Sequence, residues 1–217
     1  FQRMAGLNPT VSLHHLGLAR AQRRAGRLPE AELAYRKAIA CEDSHLEDQL
    51  ELGRLLLEMK KFEAADEVFS AVLREEDIAA ANLGAGVADL EQGYPNVALD
   101  YLRRAAELEN TAEVQREIGR ALHQSGQPEQ ALEAFQQSLN LEPDSVATHL
   151  AMAQCLTSLN RQRDAVAAYE QAIQLDPQSI EAVLGKAEYY LRQKDYSQAI
   201  VAYERAPELD PRRPGLH

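Results

Sequence analysis

Tryptophan is absent from the 217 residues, and aromatic residues of all kinds make up only 6%. Alanine and leucine must therefore do most of the packing. Cysteine is almost absent: Cys41 and Cys155 lie far apart, with no CxxC or Cys/His spacing. That excludes a zinc site and a disulfide framework, and both read as small apolar packing residues. No apolar run approaches the roughly 20 residues needed to span a bilayer. Basic residues are the minority, 23 against 34 acidic, for a net charge of −11. Such a balance disfavours nucleic-acid phosphates and anionic membranes as partners.

The signatures of common chemistries are missing as well. There is no phosphate loop, GxGxxG, HExxH or GxSxG, so neither catalysis nor a cofactor is expected. Carboxylates are abundant but fall on helix faces that read as solvated. His14 and His15 are adjacent in sequence and so point to different faces of a helix, which makes a poor metal pair. The chain opens on Phe1 and not on Met, so targeting signals are unread; the cytoplasm is the favoured compartment.

What is present is a repeat. Small residues recur at Ala31, Ala65, Ala98, Ala131, Ala165 and Ala199, at intervals of 33 or 34. Four positions after each stands a large residue: Tyr35, Phe69, Leu102, Phe135, Tyr169 and Tyr203. Three further on come Ala38, Val72, Ala105, Ser138, Ala172 and Ala206. Spacing of this kind places all three on one helical face. About twelve residues before each alanine is another small residue, Ala19, Gly53, Gly86, Gly119, Ala153 or Ala187. Between these halves, Gly26, Gly93 and Gly126 are followed closely by Pro29, Pro95 and Pro128, a helix end and then a helix start. Each period is therefore a helical hairpin. Leu-Glu-Pro-Asp at 141–144, Leu-Asp-Pro-Gln at 175–178 and Leu-Asp-Pro-Arg at 209–212 mark handovers between hairpins.

These residues resemble the tetratricopeptide repeat (TPR) family across essentially the whole chain. The opening large position departs from the family pattern, reading His15, Gln49, Asn82, Gln115, His149 and Val183, and the first three hairpins lack the closing proline. The resemblance implies an all-α fold, a right-handed α-solenoid of stacked helix-turn-helix units at 12–45, 46–78, 79–111, 112–145, 146–179 and 180–213, with a tail at 214–217. Residues 1–11 align with 135–145, Phe1 on Phe135 and Pro9 on Pro143, and are expected to be the second-helix tail of a preceding unit. The chain is thus expected to come from a longer array. Pro207 falls inside the expected last helix, where a proline costs roughly 3 kcal/mol.

In such a solenoid the first helix of each hairpin lines the concave surface. Its groove positions read Leu16, Leu50, Leu83, Arg116, Leu150 and Leu184, then Arg20, Arg54, Val87, Arg120, Gln154 and Glu188, with Arg23, Arg24 and His123 nearby. This pattern predicts a protein or peptide partner with apolar anchors and carboxylates. The bland alternative is a solvated face of i, i+3 pairs such as Glu51–Arg54, Glu113–Arg116 and Glu117–Arg120, with leucines packing between units. The carboxylate clamp of chaperone-binding members needs Lys and Asn where this chain has Leu16 and Arg20. The asparagine ladder of members attached to sugar-transferring enzymes is replaced by Gly17, Glu51, Gly84, Glu117, Ala151 and Gly185. Other expectations are a substrate-recruiting arm of a larger enzyme, such as a glycosyltransferase, and a homo-oligomer formed through open solenoid ends. Gly84 lies inside a helix without family precedent, so it either admits close backbone approach or makes the third hairpin a soft joint, the latter being favoured.

Overall fold

The computed structural model describes residues 9–41 and 45–209. They form two compact units, divided between Glu109 and Asn110. Every regular element among the described residues is an α-helix.

Unit 1 contains α1 (Pro9–Arg24), α2 (Leu28–Ile39), α3 (Leu46–Glu58), α4 (Phe62–Glu75), α5 (Ala79–Glu91) and α6 (Pro95–Leu108). Unit 2 contains α7 (Ala112–Gln124), α8 (Pro128–Leu141), α9 (Val146–Ser158), α10 (Gln162–Leu175), α11 (Ile180–Arg192) and α12 (Tyr196–Leu209). In each unit the helices pack as consecutive hairpins, each second helix also touching the first helix of the next. First helices pack beside first helices, α3 with α5 and α7 with α9.

The hairpin turns share one geometry. The residue after the first helix's C-cap adopts a left-handed conformation in all six: Gly26, Lys60, Gly93, Gly126, Asn160 and Lys194, with φ between 58° and 85°. The next amide bonds back across the turn, as in Arg27 N to Gln22 O (2.9 Å) and Gln127 N to Leu122 O (2.8 Å), which satisfies otherwise orphaned carbonyls. Glycine adopts this conformation freely; the two lysines and the asparagine do so against a side-chain penalty. Pro29, Pro95 and Pro128 occupy the first turn of the following helix, where a missing N–H costs nothing.

Packing follows the small–large–small register. The six repeating alanines are buried, and so are Tyr35, Phe69, Leu102, Phe135 and Tyr169; Tyr203 is half-buried. Phe69 shows why the register matters. A methyl built on Gly53 of α3 would meet its Cζ at 2.5 Å, and one built on Gly84 of α5 would overlap the same ring. The ring lies in a slot walled by two glycines, one from its own hairpin and one from the next. Close approach is therefore the role of Gly84, and the expectation of a soft joint is corrected: the glycine serves a ring 15 positions earlier in the chain. Gly185 receives Tyr169 in the same way in unit 2.

The small–large–small register is polar at one position, the buried Ser138. Ser138 Oγ donates to the Ala112 carbonyl (2.8 Å) and lies 3.0 Å from Thr148 Oγ1, itself 3.0 Å from Ser145 Oγ. This chain of hydroxyls ties α8 to the first helices on either side of it. Four other hairpins carry alanine here, so the space for it exists. Ser138→Ala is expected to destabilise unit 2 by about 1 kcal/mol through the lost hydrogen bonds, read by urea denaturation; an unchanged midpoint would show that the hydroxyls contribute nothing net.

The chain start differs from the expectation. Residues 9–11 belong to α1 and are not the end of an earlier helix, because proline's fixed φ suits a first helical turn. Residues 1–8, expected to complete an earlier hairpin, lie outside the described residues, as does the tail at 214–217. Helix α12 runs through Pro207 to Leu209.

Candidate functional site

The first helices of unit 1 gather arginines. Arg20, Arg23 and Arg24 on α1 and Arg54, Glu51 and Glu58 on α3 surround a cavity of about 650 Å³, with Tyr35 of α2 reaching in from behind. The i, i+3 and i, i+4 spacings put these charges on one side of each helix, clear of the alanine seam.

Glu51 is the hinge of the cluster. It accepts from Arg20 Nε (2.9 Å) and from the Tyr35 hydroxyl (2.7 Å), so its partner is the arginine of the preceding hairpin and not Arg54 as its spacing suggests. The Arg20 hydrogen bond holds the Glu51 carboxyl below the usual range despite partial burial, with Tyr35 assisting. Burial, and then donation to Glu51, pushes the Tyr35 phenol up to about 12. Arg23 pairs with Glu58 at 2.8 Å. Arg54 meets only Glu47, at 3.6 Å, and Arg24 has no hydrogen bond or ion pair among the described residues.

The leucines divide. Leu16 and Leu50, expected to anchor a ligand, are only 6% and 3% exposed and belong to the core cluster. Their apolar side chains lie between helices, where no ligand reaches them without displacing neighbours. Leu83 and Val87 of α5 are half-buried, with surface left to cover.

In unit 2 the corresponding charges neutralise one another. Glu117, buried, accepts from Arg116 (2.9 Å) and Arg120 (2.6 Å) on its own helix. His123 Nε2 lies 2.9 Å from Ser158 Oγ, and burial lowers its imidazole pKa. Gln154 donates to Glu181 (2.6 Å), and Leu150 is half-buried.

Tyr35, Glu51 and Glu58 line the cavity of unit 1 without standing at the groove register of the first helices; for Glu58, its place four residues after Arg54 and seven after Glu51 along α3 is the sequence signal. A second cavity, of about 780 Å³, lies between α8, α9 and α10, away from the expected groove, and is floored by Leu132, Leu139, Met152 and Leu156. His149, at the departing opening position, lines that cavity and lies 3.2 Å from the Pro143 carbonyl. Its charged rim residues Arg161 and Asp164 pair with each other at 2.6 Å. Among the described residues, no group of three His, Cys, Asp or Glu could hold a metal ion, and no helix is long and apolar enough to cross a membrane.

The family models described as tetratricopeptide repeat match residues 1–45, 50–113, 116–180 and 162–217. No curated protein matches the chain. Among solved structures, the APC/C hetero-tetramer Cut9-Hcn1 is similar over 95% of this chain at 16% identity, with a TM-score of 0.83. The chain spans only 42% of that one. Pseudomonas aeruginosa pilF covers 94% of each chain at 21% identity, with a TM-score of 0.73. YrrB, a TPR protein with an unusual peptide-binding site, matches 83% of this chain and 94% of its own at 19% identity, with a TM-score of 0.57. The shared fold is an all-α solenoid of stacked hairpins, which serves in general as a protein-interaction scaffold and is generally non-catalytic. Six buried alanine registers, six identical turns and the matching family models lead to one conclusion: the chain belongs to the tetratricopeptide repeat family.

Proposed function

We propose that the chain holds an acidic segment of a partner protein on the face made by the first helices of unit 1. One observation carries this reading. Four guanidinium groups surround a cavity facing only two carboxylates, in a protein whose net charge is −11. Arg24 and Arg54 are the groups with hydrogen-bonding capacity left over. Arg20 is engaged by Glu51 and sets the floor of the site. Leu83 and Val87 supply half-buried apolar surface for the partner's aliphatic side chains. In unit 2, Arg116, Arg120, His123, Leu150 and Gln154 form a patch whose charges are already paired, so it contributes less to capturing an anion.

A synthetic peptide alternating glutamate and leucine tests this directly by fluorescence anisotropy. The Arg24→Glu/Arg54→Glu double variant is expected to weaken binding at least about tenfold, a change of about 1.4 kcal/mol, and to flatten its dependence on salt. Charge reversal at Arg116 is expected to change it far less. Equal affinity for the wild type and the double variant would sink the reading.

A further inference from the structure

The arginine cavity of unit 1 has a charge and a donor set that specify more than a carboxylate. We propose that it takes a phosphorylated side chain of the bound partner, held by Arg23, Arg24 and Arg54; this rests on the acidic-partner reading of the same face.

The lining residues differ in what they are free to do. Glu51 is fixed, only 17% exposed and bonded from two sides by Arg20 and by the buried Tyr35. Arg20 is therefore committed. Glu58 is different: it is 43% exposed and, among the described residues, held by Arg23 alone, through a pair of a kind worth only about 0–1 kcal/mol. The Arg54–Glu47 pair is weaker still, at 3.6 Å with both side chains about half exposed. Arg24 is unpaired among the described residues.

A carboxylate has two oxygens and one charge, and a single bidentate arginine satisfies it. It would leave one of the two uncommitted groups, Arg24 or Arg54, without a strong acceptor, and Glu58 still on Arg23. A phosphate monoester carries about −1.5 to −2 charges at neutral pH and three acceptor oxygens. That matches the surplus of two positive charges among the residues lining the cavity, four arginines against Glu51 and Glu58, with Glu47 outside the lining and only loosely placed on Arg54. A cavity of about 650 Å³ has room for the group and its ester stem. Glu58 then acts as an internal stand-in, an anion resting on Arg23 until a stronger one displaces it.

The probe is N-acetyl-O-phosphoserine amide, titrated into the full chain while arginine side-chain N–H resonances are followed by NMR. Saturable shifts are expected at Arg23, Arg24 and Arg54, with affinity at least about tenfold above that of the N-acetylglutamate amide analogue, about 1.4 kcal/mol. Glu58→Gln is expected to tighten phosphoserine binding several-fold by freeing Arg23. Arg24→Gln combined with Arg54→Gln is expected to abolish it with an unchanged far-ultraviolet spectrum. Equal affinity for the glutamate analogue would overturn the phosphate assignment and leave the acidic-partner reading standing. Inorganic phosphate binding as tightly as phosphoserine would overturn the side-chain source. No shift with any anion would overturn the site, and the alternating glutamate–leucine peptide then decides separately whether the acidic-partner reading survives.

Discussion

Phe69→Ala is expected to destabilise unit 1 by about 3–5 kcal/mol, the usual cost of removing a fully buried ring. The sharper test lies in the glycine wall opposite it. Gly84→Ala should gain up to about 1 kcal/mol from helix propensity. Against that stands overpacking, because the new methyl would overlap a ring with no exposed surface into which to retreat; such insertions cost about 1–3 kcal/mol. The net is expected to be destabilising. In a Phe69→Leu background the obstacle is smaller, so the same Gly84→Ala change should become neutral or stabilising. Urea denaturation of the two single variants and the double variant gives the coupling. An equal penalty in both backgrounds would mean that the glycine does not serve the ring.

Glu51→Ala is expected to cost about 1–3 kcal/mol, since it leaves the Tyr35 hydroxyl, on a residue almost wholly buried, without an acceptor, and Arg20 without a counter-charge. Glu51→Gln keeps an acceptor and loses the charge, so it should cost less. The pH dependence separates the two contributions. Arg20 depresses the Glu51 carboxyl pKa in the folded state, so the stabilisation is complete above the ordinary carboxylate range and is lost as pH falls through the depressed folded value. The stability gap between wild type and Glu51→Gln is therefore expected to be widest at about pH 7 and to narrow toward about pH 2. A gap that is constant across that range would show that the charge plays no part.

The scaffold was legible in the sequence because its determinants are local. Small–large–small spacing at i, i+4 and i+7 fixes which face of a helix is buried, and a glycine followed two or three positions later by proline fixes where it reverses. Lys60, Asn160 and Lys194 make the same turn without glycine, so composition alone marks only half of the reversals. The site was less legible because its partnerships cross hairpins. Glu51 has Arg54 three positions away, yet bonds to Arg20, 31 positions earlier. Leu16 and Leu50 occupy the same register as Leu83, yet only the last keeps surface, since register gives the angular position of a side chain and not how closely the next helix covers it. Gly84 reads as a weakness within its own helix and becomes intelligible only beside Phe69.

The aromatic slot also sets where this chain can be cut. Phe69 leans on Gly53 of α3 and on Gly84 of α5, so its enclosure straddles the joint between hairpins. A fragment ending with α4 would bare one side of the ring to water, whereas a fragment carried through α5 would keep it sheathed. Tyr169 and Gly185 impose the same condition on α11. The self-sufficient module is thus offset by half a period from the repeat as it is written, and sound truncations end on a first helix.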